Sequence, residues 1–295
     1  MKSPLRKRLL RELKSEFGKY LVVFIVMTIT IAFISGFLVA DGSMIRAYDD
    51  SFQKYNIEDG YFRTEKKLTT TQKEDIEKSD VKIYENFYIE QKLTNKSTVR
   101  FFKNRKDVDK VCLMKGRMPE KSGEIAVDRM YAENNSLEIG DRVKSGKKAF
   151  RITGLVALSD YSALFQNNND TMFDSVKFGV AIVTDKEFEA LNQVKLQYNY
   201  AWVYDKKPET KKKEKKMAED LMEDMTGVVT LESFVPQFQN QSICFTGDDM
   251  GSDRAMMVML LYIVMAILAF VFGITISNTI RKEACLLYTS DAADD

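Results

Sequence analysis

Two acidic pairs are the first residues in this sequence whose chemistry could hold a metal ion. Asp49-Asp50 and Asp248-Asp249 each stand beside one of the two most apolar stretches of the chain. Carboxylate oxygens are the ligands that Ca²⁺ and Mg²⁺ prefer, so a divalent cation is one interpretation of these pairs. Helix ends and solvated turns explain them more simply, and the sequence therefore predicts no metal site.

Other reactive side chains are few. Histidine is absent from the 295 residues, which removes the commonest general base and metal ligand. Cys112, Cys244 and Cys285 form no C-x-x-C pair. Cys112 and Cys244 could pair as a disulfide or remain separate small apolar side chains, and the sequence leaves both open. No P-loop, G-x-S-x-G, H-E-x-x-H or EF-hand pattern occurs, so we expect no enzyme activity and no bound cofactor in this chain.

Charge and hydropathy point to a membrane instead. Forty-four basic and 43 acidic residues give a net charge of +1, which argues against a nucleic-acid partner. Residues 20–40 and 255–280 carry no charged side chain. Twenty-one helical residues rise about 32 Å, close to the thickness of a hydrocarbon core. Both segments are therefore predicted to be transmembrane helices.

The flanking charges predict an orientation. Seven lysines and arginines precede the first predicted span, and Arg281 and Lys282 follow the second. The positive-inside rule then places both ends in the cytoplasm and residues 41–254 outside the cell. A cleaved signal peptide is the alternative for the first span, but its apolar run is long and no A-x-A site follows it.

Both termini carry segments of a different kind. Residues 1–19 form a basic segment in which Leu5 to Phe17 has one apolar helical face. This segment either lies along the inner membrane surface or extends the span into the cytoplasm. Residues 281–284 begin a second cytoplasmic segment. Residues 285–295 read CLLYTSDAADD and resemble a translated sequencing adaptor, so we treat them as an artefact and expect the natural chain to differ there.

The segment between the spans alternates strand-like and helix-like patterns. It predicts an α+β domain with a mixed or antiparallel sheet and two subdomains. The first span is expected to continue as a stalk over Asp41–Gln53, and residues 160–174 are expected to form an exposed loop. Predicted strands are 61–64, 81–92, 98–103, 123–127, 141–143, 149–158, 176–184, 197–204 and 228–231; predicted helices are 70–78, 128–131, 185–191 and 208–225.

Four short motifs follow one another within this segment. They are a G-R-x-P turn, a G-E-hydrophobic strand, a G-D-x-V turn and a strand that passes through a glycine. Their residues are Gly116, Arg117, Pro119, Gly123, Glu124, Gly140, Asp141, Val143 and Gly154. Glycines permit the tight turns, and alternating aliphatic residues fill a small sheet core. This order resembles the outer core domain of MacB/FtsX-type ABC transporter permeases.

The resemblance extends over residues 1–284 and implies a function. Such a permease subunit lies in the bacterial plasma membrane and forms a homodimer or heterodimer with other permeases. A separate ABC ATPase, which itself binds ATP and Mg²⁺, drives it from the cytoplasm. Arg281, Lys282 and Glu283 match the start of the cytoplasmic segment that meets this ATPase in the family. A two-span sensor with an extracytoplasmic ligand-binding domain is the alternative.

Overall fold

The computed structural model describes residue 14 and residues 17–291, so the predicted amphipathic segment lies almost entirely outside the described residues. The chain divides into two compact units. The described residues up to Arg46 and from Asp249 onward form a helical unit, and Ala47–Asp248 form a sheet unit.

Two long helices, α1 (Phe17–Tyr55) and α6 (Gln241–Asp291), supply the helical unit. Both are long and apolar enough to span a membrane. The most apolar stretch of α1 is only 6% buried, and that of α6 is not buried at all. A soluble protein does not expose apolar surface on this scale, so these are helices of a membrane protein. Helix α1 continues unbroken through the predicted stalk.

An eleven-stranded mixed sheet forms the second unit. The strands are β1 (Gly60–Thr64), β2 (Val81–Glu85), β3 (Tyr88–Lys92), β4 (Thr98–Lys103), β5 (Val111–Gly116), β6 (Glu124–Asp128), β7 (Arg142–Ser145), β8 (Lys148–Leu158), β9 (Phe178–Val183), β10 (Leu196–Tyr204) and β11 (Leu231–Pro236). Their order is β11-β1-β10-β3-β4-β9-β6-β8-β5, with β2 on β10 and β7 on β8. The pairs β4–β9 and β6–β8 are parallel and the others antiparallel, which confirms the predicted α+β class with a mixed sheet.

Four shorter helices cover this sheet: α2 (Thr70–Glu77), α3 (Arg129–Asn134), α4 (Asp185–Glu189) and α5 (Lys211–Thr226). Threonine or aspartate caps each N-terminus, as Thr69 does in a capping box with Gln72. The sheet has two hydrophobic cores. The smaller one surrounds Trp202 where β1, β2, β10 and β11 meet α2 and α5, and the larger one lies among β3–β9.

Three local predictions are wrong. The single strand predicted over 81–92 is interrupted at residues 86 and 87 and forms two strands, although both pair with β10 in the same register. The last strand begins at Leu231 rather than Val228, since α5 extends to Thr226 and a turn follows it. The loop 160–174 is not exposed throughout, because Ala163, Leu164 and Phe165 are buried.

The structure shows whether the two cysteines that could pair do form a disulfide. Cys112 and Cys244 are not joined to each other, so the disulfide left open above is not formed. Strand β5, which carries Cys112, was not anticipated from the sequence.

Candidate functional site

The four motifs come together along β8. Gly116 at the end of β5 pairs with Gly154 in β8. A side chain on Gly116 would collide with the carbonyl oxygen of Thr153, and one on Gly154 with that of Arg117. Gly116 also has a φ of +78°, which favours glycine. The two glycines therefore let neighbouring backbones approach more closely than any side chain would allow.

Arg117 and Glu124 close the turn that contains Pro119 and Gly123. Two guanidinium nitrogens of Arg117 donate to the Glu124 carboxylate at 2.9 and 2.5 Å. The same carboxylate accepts the backbone N–H groups of Glu120 and Lys121 at 3.0 and 3.1 Å. The hydrogen bonds from Arg117, and after them those from the backbone N–H groups of Glu120 and Lys121, lower the pKa of Glu124 to about 2. The charged carboxylate of Glu124 thus holds the turn together through these hydrogen bonds.

The G-D-x-V turn is attached to the same strand. Gly140 has a φ of +106° and donates its N–H to the carbonyl of Ile152 at 2.8 Å. Ile152 returns an N–H bond to the carbonyl of Asp141, whose carboxylate accepts the N–H of Glu138 at 2.8 Å. Val143 is buried and paired with Phe150. The motif residues form turns and close contacts, with no arrangement for catalysis among them.

Replacing Gly116 by alanine is expected to destabilise the folded chain by about 2 to 3 kcal/mol, from the left-handed backbone and the collision with Thr153. Urea unfolding of the full chain in detergent, followed by the fluorescence of Trp202, measures this loss. Gly146→Ala is the matched control, because Gly146 also has a positive φ (+58°) but open space around it. It should cost about 1 kcal/mol. Equal losses at the two positions would show that close packing at Gly116 is unimportant.

A second group of residues lies inside the sheet unit, which also contains the last residues of α1 and the first residues of α6. We call Glu58, Asn86, Arg105, Asp109 and Asp160 the junction cluster; all five side chains are buried. Arg105 donates to both carboxylate oxygens of Asp160, at 2.7 and 2.6 Å, and to Asn86 Oδ1 at 3.1 Å. Its guanidinium lies 3.9 Å from Asp109. Asp109 in turn accepts the backbone N–H of Glu58 at 2.8 Å.

The junction cluster contains three carboxyl groups for one guanidinium. Burial, and then the charge of Asp160, raise the pKa of Asp109 to about 7. Burial, and then the charges of Asp109 and Asp160, raise the pKa of Glu58 well above its usual range. Burial alone would lower the pKa of Arg105, but Asp160 raises it. The cluster is therefore short of positive charge.

Backbone and side-chain bonds tie the ends of both helices to this cluster. Directly after α1, the carbonyls of Tyr55 and Asn56 accept the N–H groups of Lys110 and Asp109 at 2.9 and 3.0 Å. Directly before α6, Asn240 donates to the Glu58 carboxylate at 3.3 Å. The Gln237 backbone N–H also donates to the Asp59 carbonyl at 2.8 Å, and its side chain donates to the Glu58 carbonyl. The exit of α1 and the entrance of α6 are thus bonded to each other.

A cavity of about 360 Å³ opens beside the junction cluster, inside the sheet unit. Glu58, Asn86 and Asp160 line it, together with residues of β1, β4, β10 and β11. The sequence patterns gave no sign of these residues, because the acids and Arg105 are far apart along the chain and belong to no motif.

The acidic pairs that suggested a metal site are not brought into one. Asp49, Asp50, Asp248 and Asp249 are exposed on α1 and α6. Within residues 14 and 17–291 no group of three or more histidine, cysteine, aspartate or glutamate side chains is arranged to hold a metal ion. Arg281, Lys282 and Glu283 lie within α6, and their role in meeting an ATPase stays a prediction.

Comparisons with known proteins are limited to folds. No protein-family model and no curated protein matches the sequence. Fold comparison returns the periplasmic region of MacB from Actinobacillus actinomycetemcomitans, at 13% identity and a TM-score of 0.33 over 57% of this chain and 83% of that one. It also returns the extracellular domain of the noncanonic ABC-type transporter YknZ from Gram-positive bacteria, at 13% identity and a TM-score of 0.33 over 59% and 98%.

The second of these structures is part of an ABC-type transporter. At this identity and TM-score, the two structures carry no weight for activity. The function proposed below is based on the motifs, the two apolar helices and the junction cluster.

Proposed function

We propose that this chain is the permease subunit of an ABC transporter of the MacB/FtsX-like class. A separate ATPase drives it from the cytoplasm, and the sheet unit moves outside the membrane to export a substrate or to signal mechanically. The observation that carries the proposal is the junction cluster. It bonds the end of α1 to the start of α6 and attaches both to the sheet. A permease needs such a connection if motion of its helices is to reach its outer domain.

The physical basis is the stiffness of hydrogen-bonded elements. Helix α1 runs without a break from Phe17 to Tyr55 and rises about 1.5 Å per residue, so a displacement along its axis is carried along its length. At Glu58 that displacement meets two hydrogen bonds, one from the Glu58 backbone N–H to the Asp109 carboxylate and one from the Gln237 side chain to the Glu58 carbonyl. Each such group left unpaired and buried costs about 1 to 3 kcal/mol, so the joined segments move as one body.

The remaining parts of the proposal follow from the charge pattern and the resemblance. The basic N-terminal segment and residues 281–284 face the cytoplasm, and the sheet unit faces outward. The ATPase supplies the nucleotide site with its Mg²⁺, and a second permease subunit, identical or related, completes the transporter in the bacterial plasma membrane. Lipid surrounds the exposed apolar faces of α1 and α6.

Affinity purification of the tagged gene product from its native membranes in mild detergent tests this assignment. We expect a P-loop ATPase to co-purify in near-stoichiometric amount. The charge reversal Glu283→Arg should reduce its recovery, whereas Glu65→Arg, at an exposed position of the sheet unit, should leave recovery unchanged. Recovery of no ATPase, or of a signalling kinase or cyclase in its place, would contradict a permease.

The second candidate is the two-span sensor, and the cavity of about 360 Å³ is the observation that favours it. A ligand site in an outer domain is what a sensor requires, whereas a mechanical lever does not need one. Co-purification of the ATPase separates the two functions, because a sensor has no use for that partner.

A further inference from the structure

The cavity beside the junction cluster is built as a binding site. Its volume of about 360 Å³ falls within the range of roughly 300 to 1,000 Å³ for small-molecule sites. Strands β1, β3, β4, β10 and β11 contribute to its walls, together with the loop after β8 and the start of α6. All of these residues belong to the sheet unit, so the cavity is independent of the helical unit.

An unpaired acid lines this cavity. Glu58 is 2% exposed, and its Oε2 has no hydrogen-bond partner among the described residues. Its other oxygen accepts one bond, from Asn240 at 3.3 Å. The nearby guanidinium of Arg105 is already shared between Asp160 and Asp109. Burial without a cation of its own disfavours the charged form of Glu58, which is why its pKa is raised, and an ammonium group entering the cavity would stabilise the carboxylate.

A positively charged side chain also lines the cavity. Arg63 is one-third exposed, and one of its terminal nitrogens donates to the Tyr88 hydroxyl at 3.2 Å. Its Nε makes no hydrogen bond to the described residues, and Glu232 is 3.8 Å away. Arg63 thus has one hydrogen bond and one ion pair, and because its Nε is buried, a terminal nitrogen is the group through which it can also donate to an anionic group on a ligand.

The other arginine in the wall is fully occupied. Arg100 donates to Glu90 at 2.9 Å, to the Tyr161 hydroxyl at 3.0 Å and to the Gln166 carbonyl at 2.5 Å. Its guanidinium also stacks against the rings of Tyr88 and Phe178. Arg100 thus shapes the cavity, which leaves Glu58 and Arg63 as the side chains in its wall that can meet charged groups of a ligand.

We propose that this cavity binds zwitterionic amino acids or short peptides, with the ligand ammonium group on Glu58 and the ligand carboxylate on Arg63. The amide and hydroxyl side chains of Asn86, Asn199 and Tyr61 line the space and can bond to the polar atoms of such a ligand. A metal ion is a poorer occupant, since the described residues include no metal-binding group. The inference holds for a permease and for a sensor alike.

Isothermal titration calorimetry of the full chain in detergent tests the site with three probes: L-alanyl-L-alanine, its N-acetyl derivative and its methyl ester. We expect the free dipeptide to bind, and each blocked form to bind about 10- to 100-fold more weakly, the effect of one charge-assisted hydrogen bond. Glu58→Gln should weaken dipeptide binding by a similar factor. Glu65→Gln, an exposed glutamate outside the cavity, should have no effect.

Arg63→Gln is the second variant, at a position exposed enough to leave the fold intact. It should abolish the preference for the free dipeptide over its methyl ester, which decides the question even if Glu58→Gln fails to fold. No binding of the free dipeptide, equal binding of all three probes, or unchanged discrimination in the Arg63 variant would each overturn the inference. The ATPase experiment above is unaffected by any of these outcomes.

Discussion

Replacing Arg105 by methionine is expected to destabilise the folded chain by about 3 to 5 kcal/mol at neutral pH, because it leaves a buried set of carboxylates without their cation. Methionine keeps much of the apolar stem but loses the guanidinium, which lies over the Phe102 ring at 5.0 Å. The bidentate pair with Asp160, at 2.7 and 2.6 Å, disappears with the guanidinium. Urea unfolding of the full chain in detergent measures the loss. Trp202, the only tryptophan, lies fully buried in the smaller core and reports on the sheet unit.

The matched control for this prediction is Arg129→Met. Arg129 also pairs with a carboxylate, that of Glu133 at 3.0 Å, but both side chains are about half exposed on α3. An exposed pair of this kind contributes less than about 1 kcal/mol. If the two variants were destabilised equally, Arg105 would not be compensating buried charge.

Asp109→Asn is expected to stabilise the chain at pH 8 by about 2 to 4 kcal/mol, an effect that disappears near pH 4. The pKa of Asp109 is raised from 3.8 to about 7 in the folded state by burial and by Asp160, while Glu58 and Arg105 are its other charged neighbours. Between pH 3.8 and about pH 7, the folded wild type therefore binds more protons than the unfolded chain. Its stability contribution is present at low pH and is lost as pH rises toward 7.

Asparagine suits this position in two further ways. Asp109 has a φ of +47°, a conformation that asparagine tolerates well. The asparagine Oδ1 can still accept the backbone N–H of Glu58. Unfolding free energies of wild type and variant, measured from pH 4 to pH 8, give the difference directly. A gain that is the same at pH 5 and pH 8, or a loss at pH 8, would show that Asp109 is not a buried surplus acid.

Local patterns were sufficient to predict much of this fold. Alternating apolar residues and turn signals placed β4, β8, β9 and β10, because strand periodicity is a property of a few neighbouring residues. The two uncharged runs identified the long helices for the same reason. The motif order from Gly116 to Gly154 indicated turns that the structure brings together on one strand.

The candidate site was not predictable in this way. Glu58, Arg105, Asp109 and Asp160 are ordinary charged residues in sequence, and most such residues are solvated. Their burial depends on how β1, the β4–β5 connection and the loop after β8 meet in three dimensions. Pattern reasoning also missed the break at Asn86 and the burial of Phe165.

The placement of the sheet unit outside the membrane, opposite the basic N-terminal segment, is the central claim and can be tested by labelling. In a variant with Cys112, Cys244 and Cys285 replaced by serine, Glu65→Cys or Lys14→Cys is treated with a membrane-impermeant maleimide on intact cells. We expect the Glu65 variant to be labelled in intact cells and the Lys14 variant only after permeabilisation. Labelling of the Lys14 variant but not the Glu65 variant in intact cells would contradict the topology and the permease function together.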